Sequence, residues 1–287
     1  MSIVLMVAQG PDATEVERIE TSYESLAEAA GDEPANGVYL VARTYRGGQV
    51  LQLDAHFDRV ERSAAAQGYT VRVPREQVRT VLREMLRELA PPSGDGRFRV
   101  TAVLDDSPWF RLAMEPAAGV DPDLLRRGVH CTLHRGTVRS DAEVKSTAWI
   151  AKRRALAAAE KSGPDAVYEH LLVRDDGAIL EGSGSNFYAC IGKVVHTAGA
   201  GVLQGIARGI VLTVVEEMAP KVTVDFRAVT TAELEAGAVD EAFITSSTRG
   251  VVPVRSVDST ELGPPGAITS EISRRYEKWL ETHLRPL

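Results

Sequence analysis

Amine chemistry has few places to happen in this sequence. Its basic residues are overwhelmingly arginine, and the first lysine in 287 residues is Lys145. Arginine neither titrates near neutrality nor condenses with a carbonyl; lysine does both. Lys145 is therefore the first candidate for a nucleophile or proton carrier. His130 and His134, with Cys131 between them, invite a metal reading. Their spacing on a strand does not support it, and no further ligand cluster accompanies them, so no metal site is expected. The pairs Arg126-Arg127 and Arg153-Arg154 read as solvated surface.

The elements that must position such groups follow from pattern. Ser2 to Ala8 and Gly37 to Tyr45 read as strands. Arg46-Gly47-Gly48 turns the chain back into Gln49 to Leu53, and Asp54 is placed to cap a helix reaching about Ala65. Pro74 opens the next helix, with Val78, Leu82, Met85, Leu86 and Leu89 on one stripe. Arg97 to Leu104 and Trp109 to Glu115 form a strand pair. Pro116 to Pro122 is short and turn-rich, which sets domains of residues 1–118 and 127–287 around a linker, 119–126. Beyond it come a strand at Gly128 to His134 and a helix from Ser146 to Ser162, ended by Gly163-Pro164. A hairpin follows, Val167 to Arg174 and Ala178 to Glu181 around Asp175-Asp176-Gly177, then strands at Asn186 to Ile191 and Lys193 to Thr197. A helix after Gly205 carries Ile206, Ile210, Val214 and Met218, and Thr230 with Glu233 has the spacing of a capping box. Strands at Glu241 to Ser246 and Val251 to Val257 precede a last helix with Ile268, Ile272, Tyr276 and Leu280. The fold class is α+β, a mixed α/β pattern in two domains with largely antiparallel sheets.

Composition limits the partners. A formal charge of −7 argues against nucleic acid, which needs a basic footprint. The longest early apolar run, Ile3 to Ala8, is too short for a membrane span. Two cysteines, Cys131 and Cys190, make no disulfide framework, and a reducing, cytoplasmic setting is expected.

Five segments, in order, resemble the class IV aminotransferase family, the fold type IV enzymes that use pyridoxal 5'-phosphate. They are His56-Phe57-Asp58-Arg59, Lys145-Ser146, Glu181-Gly182-Ser183-Gly184-Ser185-Asn186-Phe187, Leu203-Gln204-Gly205-Ile206-Ala207-Arg208, and Thr245-Ser246-Ser247-Thr248 with Val251-Val252-Pro253-Val254. The resemblance implies fold type IV architecture with the cofactor between the two domains. It makes Lys145 the catalytic residue, holding the cofactor as a Schiff base and shuttling a proton. Glu181 would face the pyridine nitrogen and keep it protonated. Arg59 offers the phosphate a fork of donors, Gly205, Ile206 and Ala207 a helix N-terminus, and Ser247 and Thr248 hydroxyl and backbone donors. Ser185 and Asn186 would complete the cofactor contacts.

The match is uneven. Ala207 stands where the family often has threonine. Thr147, Ala148 and Trp149 follow Lys145 where many relatives have asparagine and an aromatic residue or leucine, and Leu40 replaces a common glutamate. Alternation puts Tyr39, Val41 and Arg43 on one strand face, and the spacing of Arg97 and Arg99 puts those two together on one face of their own strand. Tyr39, Arg43, Arg97, Arg99 and Trp149 are the substrate-side candidates, with Arg97 or Arg99 binding a carboxylate. The expected activity is amino transfer between an amino acid or amine, such as a D-amino or branched-chain amino acid, and a 2-keto acid, in a homodimer. A lyase like aminodeoxychorismate lyase, which shares these motifs, and a non-catalytic binding protein on the same fold are the alternatives.

Overall fold

The computed structural model describes residues 3–9, 14–106, 108–136, 142–158 and 166–287. The expected strand start at Ser2, the helix beyond residue 158 and its Gly163-Pro164 stop lie outside them. The chain forms two compact units: residues 1–118 with 144–152 and 283–287, and residues 119–143 with 153–282. The segment carrying Lys145 thus belongs with the first unit, although the chain has already entered the second.

The first unit holds a seven-stranded sheet with the order β16-β4-β3-β5-β6-β1-β2. Its strands are β1 (Val4–Gln9), β2 (Glu15–Arg18), β3 (Gly37–Tyr45), β4 (Gln49–Leu51), β5 (Gly96–Val103), β6 (Trp109–Pro116) and the last of the chain, β16 (Leu284–Pro286). Every pairing is antiparallel. Alternation sends Val38, Leu40, Ala42, Phe98, Val100 and Ala102 to one face, where they pack with Phe57, Val60, Val78, Leu82 and Met85. Those partners come from α2 (Leu53–Ala65) and α3 (Arg75–Leu89). Leu86 and Leu89 are only partly buried at the edge of this core. A short helix, α1 (Leu26–Gly31), covers part of the other face, with Leu26 and Ala29 against Ile3, Leu5 and Ala113.

The β3–β4 turn is made as its residues predict: Arg46 and Gly47 have positive φ (53° and 76°), and Gly47 N–H donates to Asp95 Oδ1 at 3.0 Å. Asp54 does not cap α2. Gln52 occupies the cap in a left-handed conformation without a side-chain bond, and Asp54 instead pairs with Arg75 and Arg79 from α3. The helix starts one residue earlier than expected because Leu53 is needed in the core.

The second unit is built on nine strands. They are β7 (Val129–Arg135), β8 (Glu169–Val173), β9 (Ile179–Gly182), β10 (Ser185–Ile191), β11 (Val194–His196), β12 (Thr223–Asp225), β13 (Glu241–Ser246), β14 (Gly250–Val257) and β15 (Thr260–Glu261). The path β12-β11-β10-β13-β14-β7-β8-β9 returns on itself, because β9 also pairs with β10. The ring so closed is filled by Val129, Cys131, Leu171, Val173, Phe187, Ala189, Ala242, Ile244, Val252 and Val254. Cys131 is thus a core residue, and burial pushes its thiol pKa up. Antiparallel pairs dominate, but β7 runs parallel to both β14 and β8, and β11 to β12. Helices α4 (Pro122–Arg127), α6 (Ile206–Glu216), α7 (Thr231–Glu235) and α8 (Ala267–His283) belong to this unit, and α5 (Ala148–Ala158) starts in the first unit and ends here. The capping box forms as its spacing predicts, with Thr230 and Glu233 bonding reciprocally at the start of α7. Met218 lies past the end of α6.

Candidate active site

Lys145 is fixed by its backbone. Tyr39 N–H donates to Lys145 O at 3.0 Å and Thr147 N–H to Gly37 O at 2.8 Å, an isolated antiparallel bridge between Ser146 and Val38 at the start of β3. Lys145 N–H donates to Ser63 Oγ on α2 at 3.2 Å. Thr147, buried, ties this strip to Pro34 O and Gly37 through its hydroxyl. The Lys145 Nζ lies 4.9 Å from the centroid of the Tyr39 ring. Trp149 is buried at the start of α5.

One turn before Ser63 on the same buried face of α2 is Arg59, 5% exposed. Its Nη2 lies 3.4 Å from His56 Nδ1. Burial, then the charges of Arg59 and Lys145, hold the His56 imidazole well below its usual pKa. His56 is therefore neutral at pH 7, and Arg59 and Lys145 are close enough to share an electrostatic neighbourhood. A histidine whose folded pKa is depressed costs nothing above about pH 6.5, where both states are neutral. Below that the unfolded chain takes the proton first, and stability falls as pH falls, by up to about 1.4 kcal/mol per pH unit. We expect His56→Gln to flatten the loss of urea stability between pH 6.5 and 5. Equal slopes in the two proteins would refute this. The window is clear of Glu233, held near a pKa of about 2 by Arg227 and the α7 cap, whose contribution fades only below the ordinary carboxylate range.

In the second unit, Glu181 is the next-to-last residue of β9 and is 3% exposed. It stands opposite Asn186 at the start of β10, which in turn stands opposite Thr245 near the end of β13. The strands thus bring Glu181, Asn186 and the Ser247-Thr248 turn after β13 to one end of the ring. Leu203 N–H donates to Glu181 Oε2 at 3.1 Å, and Asn186 Nδ2 donates to Leu203 O at 2.8 Å and to Glu181 Oε2 at 3.5 Å. These bonds seat the start of α6. Its N-cap is Gly205, without a side-chain cap, and a Cβ there would meet Asn186 Oδ1 at 2.3 Å. A larger residue would displace the helix from the asparagine that anchors it.

A buried network that the sequence reading missed supports the Ser183-Gly184 turn. Glu169 accepts from Ser183 Oγ at 2.6 Å, Ser185 Oγ at 2.9 Å and Arg249 Nη2 at 3.0 Å. Burial pushes the Glu169 carboxyl up, but Arg249, Arg153 and the Ser183 hydroxyl outweigh it, and the net shift is downward. Ser185, expected beside the cofactor, spends its hydroxyl here. No pattern marks Glu169 as special, since it sits in an ordinary strand run.

The substrate-side candidates divide. Tyr39 and Arg99 are adjacent, with the guanidinium carbon 3.5 Å from the ring centroid, and both are buried. Arg43 stacks on Tyr45 at 4.9 Å and donates to Ala118 O at 3.4 Å, and Arg97 pairs with Glu115.

Each unit by itself carries groups whose chemistry suits part of pyridoxal phosphate: the first a lysine amine beside an aromatic ring and a buried guanidinium, the second an uncapped helix N-terminus that favours an anion and a buried carboxylate. Among the described residues no group of three or more metal-ligating side chains occurs, and no helix is long and apolar enough to cross a membrane.

Comparison with known proteins agrees. The family model described as "Amino-transferase class IV" matches residues 37–257. A D-alanine aminotransferase from Bacillus licheniformis is 27% identical, covering 85% of this chain and 88% of the relative. An aminodeoxychorismate lyase from Bacillus subtilis is 24% identical over 84% and 85% of the two chains. The fold is similar to that of a branched-chain aminotransferase from Thermoproteus uzoniensis, with a TM-score of 0.78, 20% identity, and 99% and 98% of the chains covered.

Proposed function

This chain belongs to the amino-transferase class IV family, and from that premise we propose that Lys145 carries its pyridoxal phosphate and performs the proton transfer of amino transfer. The protein is a pyridoxal-phosphate-dependent aminotransferase of fold type IV. The observation that carries the assignment of Lys145 is its fixed place: backbone bonds to β3 and α2 hold it, with its Nζ against Tyr39.

Bound pyridoxal phosphate supplies an aldehyde that takes up the amino group and a ring that withdraws electrons from the substrate carbon. The residues do the rest. Lys145 Nζ holds the cofactor between turnovers and then carries the proton from the donor's carbon. Arg59 and the N–H groups at Gly205, Ile206 and Ala207 bind the phosphate, with Ser247 and Thr248 adding donors. Glu181 keeps a proton on the ring nitrogen, while Asn186 orients Glu181 and the start of α6. Ser185 acts through Glu169, shaping the turn. Tyr39 bounds the donor beside Lys145. The donor is a D-amino or branched-chain amino acid or an amine, the acceptor a 2-keto acid, and the assembly a cytoplasmic homodimer.

The test is absorbance of the cofactor-loaded protein before and after D-amino acids, L-amino acids and simple amines. One class of donor is expected to convert the aldehyde form of the cofactor to its amine form, and a keto acid to restore it. Pyruvate released from aminodeoxychorismate with no keto acid present would make the chain a lyase instead.

A further inference from the structure

Glu33 is a carboxylate that the reaction above does not use. It lies between α1 and β3, and its side chain is 2% exposed. Arg99 takes both oxygens, Nε donating to Oε1 at 2.7 Å and Nη2 to Oε2 at 2.5 Å. Thr101 donates its hydroxyl to Oε1 at 2.7 Å, and Arg111 Nη1 stands 4.0 Å from that oxygen. β5 presents Arg99 and Thr101 on the face that also carries Tyr39 from β3, since Tyr39 pairs with Thr101 and Val41 with Arg99. The Arg99 guanidinium lies against the Tyr39 ring at 3.5 Å, and the same ring is 4.9 Å from Lys145 Nζ. Lys145 Nζ and a buried guanidinium fork therefore both stand against one aromatic ring, and that fork already holds a carboxylate supplied by the protein.

We propose that Glu33 is a specificity-determining residue: an internal carboxylate that occupies Arg99 and keeps the carboxylate of an amino donor from anchoring there. The inference rests on Lys145 being the site of amino transfer. A planar fork binds a carboxylate through two parallel bonds, so a donor reaching Arg99 would only exchange one such pair for another. It would also leave Glu33 buried without its partner, which costs more than the exchange returns. A donor with a neutral group in place of its carboxylate forfeits nothing at Arg99. The chain thus discriminates little between an amino acid and the matching amine.

Glu33→Gln keeps the shape and one acceptor for Arg99 while removing the charge, so that Arg99 and Arg111 together face a neutral amide. The probes are alanine, as both enantiomers, and 2-aminopropane, in which a methyl replaces the carboxylate. In the holoenzyme we expect Glu33→Gln to lower the KM for alanine about tenfold or more, the scale of a charge-assisted bond, and to leave that for 2-aminopropane unchanged. Calorimetry with propionate should show binding tightened by a similar factor, a readout independent of turnover. An unchanged KM ratio with unchanged propionate binding overturns the proposal. If Glu33→Gln does not fold, the double variant Glu33→Gln with Arg99→Gln replaces the whole pair by neutral amides. Its KM ratio should match wild type, and a ratio shifted strongly against alanine would show that Arg99 serves the donor after all. Wild-type protein that transfers an amino group from no donor at all would instead overturn the aminotransferase reading of Lys145.

Discussion

Lys145→Ala is expected to lose cofactor attachment and to slow amino transfer by roughly 10³-fold or more, because in the proposed reaction the same Nζ both holds the cofactor and moves the proton. The protein should nevertheless fold. The bonds that place this segment are made by its backbone, to Tyr39 N–H and Ser63 Oγ, and by the Thr147 hydroxyl, none of which depends on the lysine side chain. The circular dichroism spectrum and urea midpoint should therefore stay near wild type while activity and the absorbance of attached cofactor disappear. Lys145→Arg sharpens the result. It keeps a cation beside Tyr39 but provides no amine that can condense or titrate, so it should be as inactive as the alanine variant. Activity within tenfold of wild type in either variant would remove Lys145 from the reaction. Loss of the fold in both would show only that the segment tolerates no change, and cofactor attachment would then be tested by reducing the loaded protein with borohydride and mapping the labelled lysine.

Regular elements were legible wherever one physical signal dominated. β3 is read from its β-branched and aromatic run and ends where Arg46 and the glycines turn the chain. The stripe of Val78, Leu82 and Met85 forecasts which face of α3 is buried, and Thr230 with Glu233 forecasts the start of α7. Short elements were not legible. All four residues of β2 are exposed, so no alternation marks it, and it exists because β1 offers it an edge. α1 and α4 are too short for periodicity to speak. Asp54 looked like a cap because carboxylates favour that position, but the helix begins before it and it pairs with two arginines of α3 instead.

At the site, sequence pattern isolated Lys145, and the family resemblance pointed to Arg59, Glu181 and Gly205. What no pattern could supply is which polar groups satisfy one another. Arg99 reads as a cation ready for a substrate, yet its partner Glu33 lies 66 residues away in a segment with no regular period. Nothing in the run around Ser185 signals that its hydroxyl bonds Glu169 on another strand. Such pairings follow from tertiary register, which alternation within one strand does not encode. The same holds for the bridge that sets Lys145 beside β3, since Ser146 and Val38 are far apart in the chain.

Glu181→Gln should separate charge from shape in the second unit. The amide is nearly isosteric with the carboxylate, and its oxygen can still accept from Leu203 N–H, now at 3.1 Å from Oε2. The start of α6, seated by Leu203 and Asn186, is therefore expected to stay in place, with stability changed by less than about 1 kcal/mol, the net worth of one hydrogen bond. What the variant loses is the buried negative charge. In the proposed reaction that charge would hold the proton on the ring nitrogen of bound pyridoxal phosphate, and the variant would no longer supply it. The expected result is a fall in kcat of roughly 10²-fold or more, the scale of one preorganised electrostatic contact in a dry site. KM for the donor should change little, because the role proposed for Glu181 is toward the cofactor's ring nitrogen and not toward the donor. Glu181→Ala is the weaker experiment: it also strips the acceptor from Leu203 N–H, and leaving a buried donor unpaired costs about 1–3 kcal/mol, so a loss of activity would mix chemistry with a displaced helix. A Glu181→Gln variant with kcat within threefold of wild type would mean that the carboxylate serves only to seat α6, and the charge on the ring nitrogen would have to be set by another group.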